Sequence, residues 1–137
     1  MSDIENAIQS HWEYTDEQMA NLGDNQIKYL KKVPEYLKYN LVATVVESEN
    51  CGCKVGVGDR IVLNGGGVIL PNQCTNQDKL CMFAVAPLLP FVYLFQDRIA
   101  SDVDPNECVW KRVQCADTGV ERCGWGQITM EVNAEKI

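Results

Sequence analysis

A chain of 137 residues, 46 % of them hydrophobic, is long enough for one domain with one real core. Its formal charge of −7 argues against a nucleic-acid surface, where phosphates need clustered Lys and Arg, and against docking on an anionic membrane. The opening Met1-Ser2-Asp3-Ile4-Glu5 lacks the basic and apolar regions of a secretory signal, so a reducing cytoplasmic setting is expected, in which cysteines serve as thiols or thiolate ligands more often than as disulfides.

Ser2-Asp3-Ile4-Glu5 reads as a capping box, and Ile4, Ile8 and Trp12 then share one helical face. Thr15-Asp16-Glu17-Gln18 repeats the signature and opens a second helix with the stripe Met19, Leu22, Ile27, Leu30 and Val33, loosened at Gly23. Pro34 ends that helix or restarts a turn through Tyr39. Helices this short are marginal alone, so they either pack on their own module or wrap a partner; the aromatics Trp12, Tyr14, Tyr29, Tyr36 and Tyr39 keep the second option open.

Leu41–Val46 is a β-branched strand, and Gly56–Asp59 turns into a second strand, Arg60–Leu63. Gly65-Gly66-Gly67 lacks the Lys-Ser/Thr of a P-loop and predicts a tight hairpin leading to Val68–Leu70. Leu80–Gln96 predicts a helix buried in protein and interrupted at Pro87 and Pro90. Asp97-Arg98 predicts an ion pair at its end, and Asp104-Pro105-Asn106 a turn. Glu107–Cys115 and Gln127–Val132 predict strands, the latter with Ile128, Met130 and Val132 alternating. Gly124-Trp125-Gly126 places an indole where flanking backbone must approach closely, over the cysteine turns.

All seven cysteines (51, 53, 74, 81, 108, 115, 123) follow residue 50, and an odd number forbids complete pairing within one chain. Charge divides at the same place: residues 1–50 carry nine acids and four bases, residues 51–137 ten acids and eight bases. Cys51/Cys53, Cys74/Cys81 and Cys115/Cys123 are three close pairs of the kind that structural zinc draws on, although none is CxxC. The ligand set expected for a metal is Cys53, Cys81, Cys115 and Cys123, with Cys51 and Cys74 in reserve. Plain thiols, which pack as small hydrophobes, and a redox pair activated by Lys54 remain alternatives. His11 lies in the helical arm, away from any nucleophile, so no Ser-His-Asp set or Cys-His dyad can be assembled.

The stretches CGCKVGVGDRIVL, CMFAVAPLLP, RIASDVDP, VQCADTG and GWGQITMEV resemble a family of small cysteine-containing α+β proteins over residues 41–133. With the arm HWEYTDEQMANLGDNQIKYLKKVPEYLKYNL, the chain further resembles the small, gamma-type subunit of hydantoinase-like ATP-dependent ketone carboxylases, the acetophenone carboxylases among them. That resemblance implies ATP and ketone sites on larger subunits, and a small subunit that binds zinc structurally and joins them as a hetero-oligomer.

The expected fold is therefore α+β: a helical arm over residues 1–40, then a cysteine-containing module over 41–137 with a mainly antiparallel sheet on one buried helix. The expected function is a non-catalytic assembly subunit of a multisubunit carboxylase. The alternatives are a stand-alone thiol-dependent redox protein or enzyme and a free metal-binding regulatory domain.

Overall fold

The computed structural model describes residues 2–137. At its start, Ser2 Oγ accepts from Glu5 N at 3.3 Å and the Glu5 carboxylate accepts from Ser2 N at 3.2 Å, a reciprocal cap for α1 (Asp3–Trp12). Thr15 and Gln18 repeat it for α2 (Asp16–Ala20) at 3.1 and 2.9 Å. Gly23 does more than loosen the second expected helix. It stands in extended backbone and starts a separate α3 (Asp24–Lys31), with Gln26 Oε1 accepting its N–H at 2.9 Å. Pro34 falls in the first turn of α4 (Val33–Tyr36), where its missing N–H leaves no hydrogen bond unmade.

The sheet is built around β1 (Tyr39–Glu49), which pairs antiparallel with β2 (Arg60–Asn64) on one side and β4 (Gln127–Lys136) on the other. A short β3 (Arg112–Gln114) adds to the far side of β4, giving the order β2-β1-β4-β3. Ala43 stands opposite both Ile61 and Val132, and Leu41 opposite both Leu63 and Ala134. The alternating residues therefore form one apolar face. A bulge between Val45 and Glu47 shifts the register so that Ser48 meets Ile128.

Two expected strands shrink for identifiable reasons. Instead of a full strand over Glu107–Cys115, only 112–114 joins the ladder, because Asn106 has taken the place of the chain beside Ala134. Its amide donates to Ala134 O at 2.9 Å and its Oδ1 accepts from Ala134 N at 2.8 Å. After the triple glycine, the hairpin closes through Asn64 N to Val68 O at 2.8 Å, but Val68–Leu70 contributes just a bridge of Ile69 to Leu63. Gly65 is required there: a Cβ would lie 1.7 Å from the Tyr36 carbonyl oxygen.

The proline-bearing segment forms α5 (Met82–Val85), a 3-10 turn at Ala86–Leu88 and α6 (Leu89–Ala100), with Pro87 and Pro90 opening the last two pieces. Ala84, Leu88, Val92, Phe95 and Ile99 enter the core with Val45, Ile61, Met130 and Val132. Burying each large aliphatic contributes about 1.5–3 kcal/mol relative to exposure. The expected helix is there, packed on the sheet by one side, and its opposite side faces outward. The arm packs in cis: Tyr36 and Tyr39 set their rings 6.4 and 5.9 Å from Phe95, and Lys31 of α3 pairs with Glu5 of α1 at 3.6 Å. The expected Asp97–Arg98 ion pair does not form. Adjacent residues on a helix point apart, and Asp97 instead accepts the phenolic hydrogen of Tyr29. The architecture is α+β, an antiparallel four-stranded sheet with helices on its apolar face.

Candidate functional site

Two features stand out, a thiol cluster and an apolar outer face. The thiol cluster is built by Asp59. After β1 the chain makes a turn closed by Lys54 N to Cys51 O at 3.1 Å, and it returns through Gly56, whose N–H reaches Asp59 Oδ2 at 2.9 Å. The same carboxylate oxygen accepts from Asn76 Nδ2 at 2.9 Å. One side chain thereby pins the Cys51–Gly56 turn to the loop that leads through Lys79 to Cys81. Val55 and Cys81 line one small cavity of about 20 Å³ with Val45, Ile61, Ala84 and Ile128. Cys81 also begins α5, its carbonyl accepting from Ala84 N and Val85 N at 3.0 Å.

This brings Cys53 and Cys81 together. The Cys53 pKa is raised, chiefly by its hydrogen bond with Cys81 and the charge that Cys81 can carry, then by partial burial and by Cys51. The nearby Lys79 ammonium acts in the opposite direction. The other two expected metal ligands belong to the segment between α6 and β4. Cys115 extends the β3–β4 pairing, and its sulfur accepts from Ile128 N at 3.3 Å. Cys123 is exposed, in left-handed backbone after a 3-10 turn at Val120–Arg122. Of the reserves, Cys51 borders the pair, whereas Cys74 is buried against β2, its sulfur accepting from Val62 N at 3.3 Å. Cys108 turns its thiol to Trp110 O at 3.4 Å, and His11 sits edge-on to Trp12 at 4.4 Å. Among the described residues, no group of three or more His, Cys, Asp or Glu side chains is arranged to hold a metal ion.

The turn between Cys115 and Cys123 is closed by a carboxylate. Asp117 Oδ1 accepts from Gly119 N at 3.0 Å and Trp125 N at 2.9 Å, and Oδ2 from Gly126 N at 3.2 Å. These backbone donors, Gly119 first, hold the Asp117 pKa below the usual carboxylate range. The expected close approach at Gly126 is present, against Asn50 and Cys51, and the Trp125 indole is 82 % exposed.

The apolar face lies on α5 and α6. Met82, Phe83, Leu89 and Tyr93 recur at helical spacing opposite the core residues and are 72, 57, 52 and 65 % exposed. Ala116 N donates to Phe83 O at 2.8 Å, fixing the start of this stripe to the loop that follows β3. The sequence predicts a segment buried in protein, without distinguishing its two sides. The signal it passed over was apolar residues continuing around the helix, more than one sheet face can cover. Met82–Ala100 has the length and the mean hydropathy, 1.2, of a membrane-crossing helix. Its inner side, however, is packed against the protein's own sheet.

No family model, curated protein or solved structure matches this chain.

Proposed function

We propose that this protein is a non-catalytic assembly subunit, docking larger chains of a hydantoinase-like ATP-dependent ketone carboxylase, of the acetophenone carboxylase kind, in the cytoplasm. The observation that carries the proposal is the exposure of Met82 and Phe83 on α5 and of Leu89 and Tyr93 on α6, four large apolar side chains on two successive helices whose other sides enter the core. A rigid helix face with aromatic anchors is what helix-in-groove docking uses. The resemblance in motifs supplies the identity of the partner.

Cys53 and Cys81 would supply two ligands of the structural zinc that the same resemblance implies. A tetrahedral site needs two more, and Cys115 and Cys123 are the two expected to complete it.

Co-expression with hydantoinase-type large chains tests the assignment. A fixed-ratio complex is expected, lost on combining Phe83→Asp with Tyr93→Asp while the circular dichroism of the free chain is unchanged. Failure of the wild type to join such chains, or flotation of the free wild type with lipid vesicles through the same residues, would overturn it.

A further inference from the structure

The sheet has two edges, and the fold treats them differently. Along β2 the backbone groups of Arg60, Val62 and Asn64 point away from β1, and each finds a partner. Arg60 N donates to Thr75 Oγ1 at 2.9 Å, and Arg60 O accepts from Thr75 N at 3.0 Å. Val62 N donates to Cys74 Sγ at 3.3 Å, and Val62 O accepts from Leu70 N at 2.9 Å. Asn64 N donates to Val68 O at 2.8 Å, and Asn64 O accepts from Gly67 N at 2.9 Å. Along β3, the bonds Val132 N to Lys111 O at 2.7 Å and Cys115 N to Ile128 O at 3.0 Å fix which groups turn toward β4. By the alternation of an antiparallel pair, the N–H and C=O groups of Arg112 and Gln114 point the other way. Both residues are exposed, and among the described residues no loop bond reaches those groups. Just before them stand Val109 and Trp110, both exposed. An open edge beside large exposed apolar side chains is a template for another strand.

We propose that this strand is β3 of a second copy of the chain, antiparallel about a two-fold axis at Val113, so that the two sheets join into one. The residues select that register. Groups that face outward must meet groups that face outward. An axis at Lys111 or Arg112 would set that residue against itself, like charge on like charge. An axis at Gln114 would set Arg112 opposite Ala116 of the second copy, and the Ala116 N–H is already donated to Phe83 O at 2.8 Å. With the axis at Val113, Arg112 lies opposite Gln114 of the second copy, and each such pair exchanges both backbone hydrogen bonds. No like charges oppose, and Trp110 falls opposite the small side chain of Ala116. Such a contact is isologous and closes on itself as a dimer.

The pairing uses none of Met82, Phe83, Leu89 and Tyr93, so its test is separate from the docking of larger chains. The 137-residue chain is sedimented over a range of concentrations. A species of twice 15.4 kDa is expected, dissociating on dilution. Gln114→Pro deletes an N–H that β4 does not use and keeps a backbone that edge strands accept. It should weaken the dimer about tenfold or more, since one bond is lost from each copy, with the circular dichroism unchanged. Gln114→Ala keeps the N–H and should remain a dimer, as should Phe83→Asp combined with Tyr93→Asp. In wild type, the Arg112 and Gln114 amides should resist hydrogen exchange in the dimer and lose that protection on dilution, whereas Val113 stays protected. A chain of 15.4 kDa at every concentration, a dimer indifferent to Gln114→Pro, or Arg112 and Gln114 amides that exchange freely in the dimer would overturn the proposal. So would protection of those amides by a larger chain alone.

Discussion

Gly126 lies against the backbone of Asn50: a Cβ added there would stand 2.0 Å from the Asn50 carbonyl oxygen and 2.9 Å from the Cys51 nitrogen. This contact joins the start of β4 to the turn that carries the first two cysteines. Gly126→Ala must push that turn away from β4. We expect a loss of about 1–3 kcal/mol in urea unfolding, the usual range for overpacking, and faster proteolysis within 50–56. Unchanged stability and cleavage would show that the approach is loose.

Asp117 replaces sequence-distant fastening with three backbone hydrogen bonds, and its depressed pKa fixes the sign of a pH effect. Its contribution to stability is complete above the unfolded carboxylate value of about 3.9. It is lost as pH falls from there through the lower value of the folded state. Asp117→Asn should therefore lower Tm at neutral pH and flatten the acid side of the stability curve. Amide exchange at Gly119, Trp125 and Gly126 should rise together in that variant, whereas exchange in β1 should not.

Tyr36 is buried with its hydroxyl lacking a partner, and its pKa is pushed up to about 12, first by desolvation and then by Tyr29 and Asp97. Stability from this group is complete below the unfolded value of about 10 and is lost as pH rises from there to about 12. Tyr36→Phe removes a hydroxyl that folding desolvates without reward. We expect it to keep or raise stability by about 1 kcal/mol and to delete the last step of an ultraviolet tyrosine titration. Tyr29→Phe, which breaks the link to Asp97, should lower stability instead.

The Cys53 thiol should react with an alkylating agent along a pH profile displaced above that of a free cysteine, because Cys81 holds its proton in place. Cys81→Ser removes the first-named cause and should move the profile down. A profile of Cys53 that ignores the change at Cys81 would mean the two sulfurs do not interact in solution.

What was legible in the sequence was what local chemistry decides. Ser2 with Glu5 and Thr15 with Gln18 announced their helices because both partners of each cap lie within one turn. The alternation of Ile128, Met130 and Val132 announced β4, and the glycine triplet its hairpin. What stayed hidden depends on partners far along the chain. Asp59 reads as an ordinary turn residue, and nothing near it reveals that it also holds Asn76 and so brings Cys53 to Cys81. Asn106 likewise displaces a strand by bonding Ala134, 28 residues away. Cysteine spacing proposed pairs along the sequence, whereas the fold pairs one member of the first doublet with one member of the second. The outward face of α5 and α6 was missed because hydrophobicity alone does not say whether the cover is the same chain or another.

The measurement that bears most directly on the assembly role is the native mass of the protein isolated under mild conditions together with hydroxyl-radical labelling of Phe83 and Tyr93. A subunit should be found in a fixed ratio with larger chains, with both rings protected there and labelled once the complex is dissociated. A free chain of 15.4 kDa with both rings fully labelled in the native preparation would contradict that role.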